Sequence, residues 1–160
     1  MAITYPADYQ GGYPNIELLL KGLFTDAGLG GVHQCYWLPD ADTIAGILGT
    51  GQGILRIYRT GGYVNPKANR DEPRVQIAAF TQSREESWEL IEFTRQVLGV
   101  YIDAVGVVPG TVHKLGCVGE LVCPQWIPER IRDERLVPVT FKLHTWKPGG
   151  LGNYREAFGL

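Results

Sequence analysis

The sequence predicts an α+β domain: a mostly antiparallel β-sheet packed against two α-helices, with extended arms at both ends. Three features carry that expectation. Runs of alternating apolar residues recur along the chain. Two segments show helical apolar spacing behind helix-start signals. The 21 glycines supply turns between them.

The clearest element pair lies in residues 73–98. Pro73 opens a strand with Val75, Ile77 and Ala79 on one face. Ser83-Arg84-Glu85-Glu86 is a capping box, in which the Ser83 hydroxyl takes an orphan backbone N–H and Glu86 reaches back to the cap. On a helix, Leu90, Ile91, Thr94, Val97, Leu98, Tyr101 and Ile102 then share one arc. Glu85, Glu89, Glu92 and Gln96 lie opposite, and the helix is expected to run to about Ala104.

The remaining elements follow in order. Residues 1–13, with Tyr5, Tyr9 and Tyr13, read as an irregular arm. Pro14 and Asn15 open a short helix, because Ile16, Leu19, Leu20 and Leu23 recur at i, i+3, i+4 and i+7 before Gly28, Gly30 and Gly31. Residues 32–38 form a strand bounded by Pro39, beyond which Asp40 and Asp42 read as turn formers. Residues 54–60 form the next strand, with Leu55 and Ile57 facing away from Arg56 and Tyr58. Residues 61–72 read as a polar loop, long for a hairpin and so of the functional or mobile kind. Residues 112–122 form a strand, and Gly116 and Gly119 mark a bulge in it. A solvated connection (124–138) holds Arg130, Arg132 and Arg135 beside Glu129, Asp133 and Glu134. Residues 137–146 alternate, with Val139, Phe141 and Leu143 on one face. The expected division is an arm (1–13), one domain (14–146) and a glycine-rich arm (147–160) tipped by Tyr154, Phe158 and Leu160.

The chain of 160 residues fits one domain, which buries roughly 70% of its unfolded surface. At 44% apolar and 20% charged, its composition is that of an ordinary globular protein. The net charge of -2 gives no general drive toward nucleic acid or an anionic membrane. No apolar run approaches the roughly 20 residues of a membrane span, and no signal peptide is visible. Cys35, Cys117 and Cys123 are too few for a disulfide framework, which fits synthesis in a reducing cytosol.

Reaction chemistry finds little support. Gly49-Thr50-Gly51-Gln52-Gly53 precedes a strand and lacks the Gly-Lys-Ser/Thr of a phosphate loop, so it reads as a turn. His33 and Cys35 share one strand face and Cys117 and Cys123 share parity on another, but no Cys-x-x-Cys spacing marks a metal site. His113 and His144 fall in expected strands without a nucleophile elbow. No catalytic residue, cofactor or metal is assigned. Arg56 and Arg74 sit on the two strands that flank the 61–72 segment, with Arg59 near the end of the first and Arg70 within the segment. They read either as a solvated sheet face or as the partner of the acidic helix face of a neighbouring subunit. Tyr154, Phe158 and Leu160, behind the Pro148-Gly149-Gly150 hinge, read as apolar anchors for docking on a partner.

One pattern resembles a known family. Arg56, Tyr58, Arg59 and Gly61-Gly62 come first, then a polar stretch, then Asp71, residues 73–77 (Pro-Arg-Val-Gln-Ile) and Phe80. A helix bearing Arg84, Glu86 and Trp88 follows. Over residues 15–146 this resembles the tail terminator (tail completion) proteins of long-tailed bacteriophages, especially those of actinobacterial hosts. The resemblance implies a structural virion protein rather than an enzyme. It implies six copies in a ring at the head-proximal end of the tail, which caps the tail tube and stops its polymerisation. The implied partners are further copies of the chain, the tube protein and the head connector or head-closure protein. No specific nucleic-acid binding is implied, although DNA would pass through the ring. The tyrosine-rich N-terminal arm and glycine-rich tail depart from the family and suit subunit-swapping arms. Alternative readings are another neck or head–tail connector protein, a ferredoxin-like small-ligand module, or a small enzyme using His113 or Cys117.

Overall fold

A computed structural model describes residues 3–5, 11–102, 104–125 and 135–147. Among them are three α-helices, a 3-10 turn at Leu29–Gly31 and six strands. These are α1 (Ile16–Asp26), β1 (His33–Cys35), α2 (Ala41–Gly49), β2 (Ile54–Asn65), β3 (Arg70–Phe80), α3 (Arg84–Gly99), β4 (Gly106–Val107), β5 (Lys114–Val122) and β6 (Val137–Trp146). The strands form one sheet in the order β1-β2-β3-β6-β5-β4. Only β1 and β2 pair in parallel, so the α+β class expected from the sequence holds.

The apolar periodicities place the core. Leu55 and Ile57 of β2, Val75, Ile77 and Ala79 of β3, Val139, Phe141 and Leu143 of β6, and Leu115 and Cys117 of β5 point to one sheet face. Ile16, Leu19, Leu20, Leu23 and Phe24 of α1 and Ile91 and Leu98 of α3 pack over them. Both helices begin as their caps dictate: Asn15 Oδ1 accepts from Glu17 N at 3.0 Å, and Ser83 Oγ accepts from Glu86 N at 3.2 Å.

Four expectations are corrected. The 61–72 segment is not a loop, because β2 runs to Asn65 and β3 begins at Arg70, leaving only a tight turn between them. Its polar residues misled because Arg70 and Glu72 face the sheet surface away from α1 and α3, where polarity is compatible with a strand. Pro73 therefore sits inside β3, and the ladder to β6 skips Glu72 and Pro73, where proline has no N–H to give. A third helix, α2, was missed. Asp40 is its N-cap, accepting from Thr43 N at 2.9 Å, and Ile44, Ile47 and Leu48 supply its apolar spacing. Gly46 and Gly49 obscured that spacing by lowering helix propensity. Finally, α3 stops at Gly99, so Ile102 lies outside the buried arc and is exposed. His113 likewise precedes β5 rather than lying in a strand.

Candidate functional site

The side of the sheet away from α1 and α3 is polar over most of its area. Strand alternation puts Arg56 and Tyr58 of β2, Arg70, Glu72, Arg74 and Gln76 of β3, and Thr140, Lys142 and His144 of β6 on it. Helix α2 covers one end, where Leu48, Ile54 and Phe80 are buried against Ile44, Ile47 and Leu136. A cavity of about 910 Å³ opens there, lined in part by Leu38, Ile44, Leu48, Arg56, Phe80 and Leu136. Among the described residues, no helix covers the rest of the face. Trp37, exposed, tilts over Tyr58 with ring centroids 5.0 Å apart.

A bulge decides who shares this face. Between Arg59 and Gly61 the register against β3 slips by one residue, so Arg59 and Val64 point to the helix side while Tyr63 turns to the polar side. Gly62 makes the slip sterically feasible. At φ +121°, a Cβ there would stand 2.4 Å from the Glu72 carbonyl oxygen.

Glu72 is the hub of the polar face. Its side chain is only 2% exposed. Arg70 donates to Oε1 through Nε at 3.0 Å, and Lys142 Nζ lies 3.1 Å from Oε2. The Tyr63 hydroxyl, then the Arg70 and Lys142 cations, hold the carboxyl down at about 2 against the desolvation that opposes them. His144 Nε2 stands 3.5 Å from the same carboxylate. Burial, then the nearby Arg70, nevertheless lower the His144 pKa, outweighing Glu72. Lys142 also lies over the Tyr63 ring, 5.6 Å from its centroid.

The sequence-selected arginines are thus divided. Arg56, Arg70 and Arg74 share the polar face: Arg56 donates to Gln76, Arg70 to Glu72, and Arg74 is exposed. Arg59 lies on the helix side. Its guanidinium makes a two-pronged bridge to buried Asp71 (2.7 and 2.9 Å), and its backbone N–H donates to Glu17 Oε1 at 2.8 Å. On α3, Glu85 and Glu89 are exposed, whereas Glu92 bonds Arg95, which also reaches Glu120 of β5 at 2.6 Å. Tyr154, Phe158 and Leu160 lie outside the described residues. Sequence reading overlooked Tyr63, Glu72 and Lys142, and weighed His144 only for catalysis. The alternations Arg70-x-Glu72-x-Arg74 and Thr140-x-Lys142-x-His144 were their visible signal.

The residues weighed for chemistry are scattered. His33 and Cys35 belong to one edge of the sheet, and Cys117 belongs to β5 near the other. Burial raises the Cys117 thiol pKa, the direction away from a reactive thiolate. Among the described residues no three His, Cys, Asp or Glu side chains are grouped to hold a metal ion. Nor is any helix among them long and apolar enough to cross a membrane.

The arrangement offers surfaces of charge and aromatic rings rather than a set of reacting groups. Comparison with curated proteins finds no match. A family model described as "Phage tail termination protein" matches residues 12–152, nearly the whole chain. The chain belongs to this phage tail termination family, and its role is structural, in the bacteriophage tail.

Proposed function

We propose that this protein ends the tail tube as a closed ring of six copies, capping the tube, halting its growth and presenting a docking surface to the head connector. Family membership supports the terminating role. The observation that carries the ring is the placement of charge. Among the described residues, the sheet face away from α1 and α3 holds Arg56, Arg70, Arg74 and Lys142 and the one carboxylate of Glu72. The outward side of α3, across the sheet, exposes Glu85 and Glu89. A head-to-tail ring needs two different, complementary surfaces on each subunit, and these two have opposite sign. Arg59 and Glu92 spend their charge inside the subunit and Arg70 is paired with Glu72, so the contact rests mainly on Arg56, Arg74, Glu85 and Glu89. DNA would pass through the bore of such a ring.

Charge reversal tests this. Arg74→Glu and Glu89→Arg should each weaken the ring in native mass spectrometry over a concentration series, and the double variant should recover it. In phage, loss of the protein should give overlong or headless tails. Normal-length tails joined to heads would refute the terminating role.

A further inference from the structure

The two edges of the sheet are finished differently. At the β5 edge, β4 pairs with Lys114 and Leu115, and the Tyr101 carbonyl takes the Cys117 N–H at 2.8 Å. Beyond them, register slips at Val118 and Leu121 distort the strand. Bulges of this kind discourage a further strand from pairing. At the other edge, β1 covers only Ile54, Leu55 and Arg56 of β2. Glu17 takes the Arg59 N–H. Residues 60–65 then run without any backbone partner on their outer side among the described residues. This stretch, Thr-Gly-Gly-Tyr-Val-Asn, contains no charge and no proline, and Tyr63 and Val64 are about half exposed. An unprotected edge of this kind is a template for an added strand.

The same molecule carries a segment suited to pair there. Residues 2–5, Ala-Ile-Thr-Tyr, are rich in β-forming side chains and alternate in parity. In the subunit Ile3 is 74% exposed and Tyr5 58%, and residues 3–5 lie outside the strands of the sheet. The arm is rooted beside the open edge, since the Tyr13 hydroxyl meets Asn69 Oδ1 at 3.4 Å in the turn joining β2 and β3. From Gly11 to Ile3 the chain spans up to about 28 Å when extended, enough to cross to an adjacent subunit.

We propose that residues 2–5 of one copy add as a strand to the outer edge of β2, residues 60–65, of the neighbouring copy. The exchange rests on the ring reading above and supplies a contact that the charged faces lack. Main-chain hydrogen bonds give it strength, and Ile3 and Tyr5, which share one face of the added strand, seat on the side of Val64.

Covalent trapping tests the pairing in the full chain. Ile3→Cys and Val64→Cys are made in separate, differently tagged chains in a Cys123→Ser background, since Cys123 is exposed. The chains are mixed and mildly oxidised where native mass spectrometry shows the ring, or on purified tail tubes if the ring forms only there. A disulfide linking the two tags is expected in the mixture and in neither chain alone, because a disulfide needs Cα atoms within about 7 Å. No cross-link within an assembled ring, or an exclusively intramolecular cross-link in the doubly substituted chain, overturns the proposal. Deleting residues 1–10 should raise the concentration needed for assembly at least about tenfold while leaving Tm unchanged. Rings at the unchanged concentration would overturn the arm exchange and leave the ring reading intact. No ring from the full chain, even on tubes, overturns both.

Discussion

Arg59 and Asp71 tie the two strands of the β2–β3 hairpin on its helix side, and the unequal burial of the pair makes a directional prediction. The Asp71 side chain is 2% exposed and that of Arg59 is 36% exposed. Arg59→Met keeps the aliphatic stem but strands a buried carboxylate, for which a few kcal/mol, about 3, is the expected cost. Asp71→Asn keeps the shape and one acceptor, and leaves a guanidinium that water already reaches. Charge-assisted hydrogen bonds contribute about 1.5–3 kcal/mol, and solvent screening at Arg59 trims the loss to about 1.5 kcal/mol. For a domain of this size these costs correspond to Tm losses of roughly 6–12 °C and 3–6 °C. Urea unfolding of both variants followed by circular dichroism measures the difference, with unchanged m-values confirming that native and denatured states are comparable. An Asp71→Asn loss equal to or larger than that of Arg59→Met would refute the burial argument, as would losses under about 0.5 kcal/mol in both.

Two further outcomes follow from the polar face. Glu72 titrates at about 2 in the fold against an ordinary 4.5, so its contribution is complete above pH 4.5 and disappears as pH falls toward 2. The stability gap between the parent protein and Glu72→Gln in urea should therefore be constant from pH 7 to about 5 and close between pH 4.5 and 2; a gap that persists at pH 2 would contradict the assignment. Gly62→Ala places its methyl against the Glu72 carbonyl and the Pro73 Cα, both immovable backbone, and should cost about 2–4 kcal/mol. Gly61→Ala, with no atom within 4 Å of its Cβ, should cost about 1–2 kcal/mol for its φ of +150° alone, so equal losses in the two variants would sink the close-contact account.

The corrected hairpin also changes what a deletion means. A loop of residues 61–72 would be removable without harm to the fold. The strands found there contribute the buried side chains of Asp71 and Glu72 and pair β2 with β3 along their outer halves. Its deletion should unfold or misregister the sheet, so the hairpin's role in assembly is better probed at single exposed positions such as Val64 and Arg74.

The sequence by itself determined the core and the ends of the helices. Alternation put Leu55, Ile57, Val75, Ile77, Val139 and Phe141 on one face because apolar side chains at period 2 can be buried only together. Asn15 and Ser83 fixed two helix starts because their side chains satisfy N–H groups within the same few residues. These are local rules, written in local sequence. Only the tertiary structure decided which arginines act together. The bulge at Thr60 slips the register by one residue, leaving Arg59 beside Asp71 on the helix side and turning Tyr63 toward Glu72 on the other. Such a slip inverts every later side chain of the strand, yet it is set by pairing with β3 and by the room at Gly62, neither of which β2's own alternation contains. Glu72 became the hub of the polar face for the same reason, since Tyr63, Arg70 and Lys142 meet it from three strands that only folding makes neighbours.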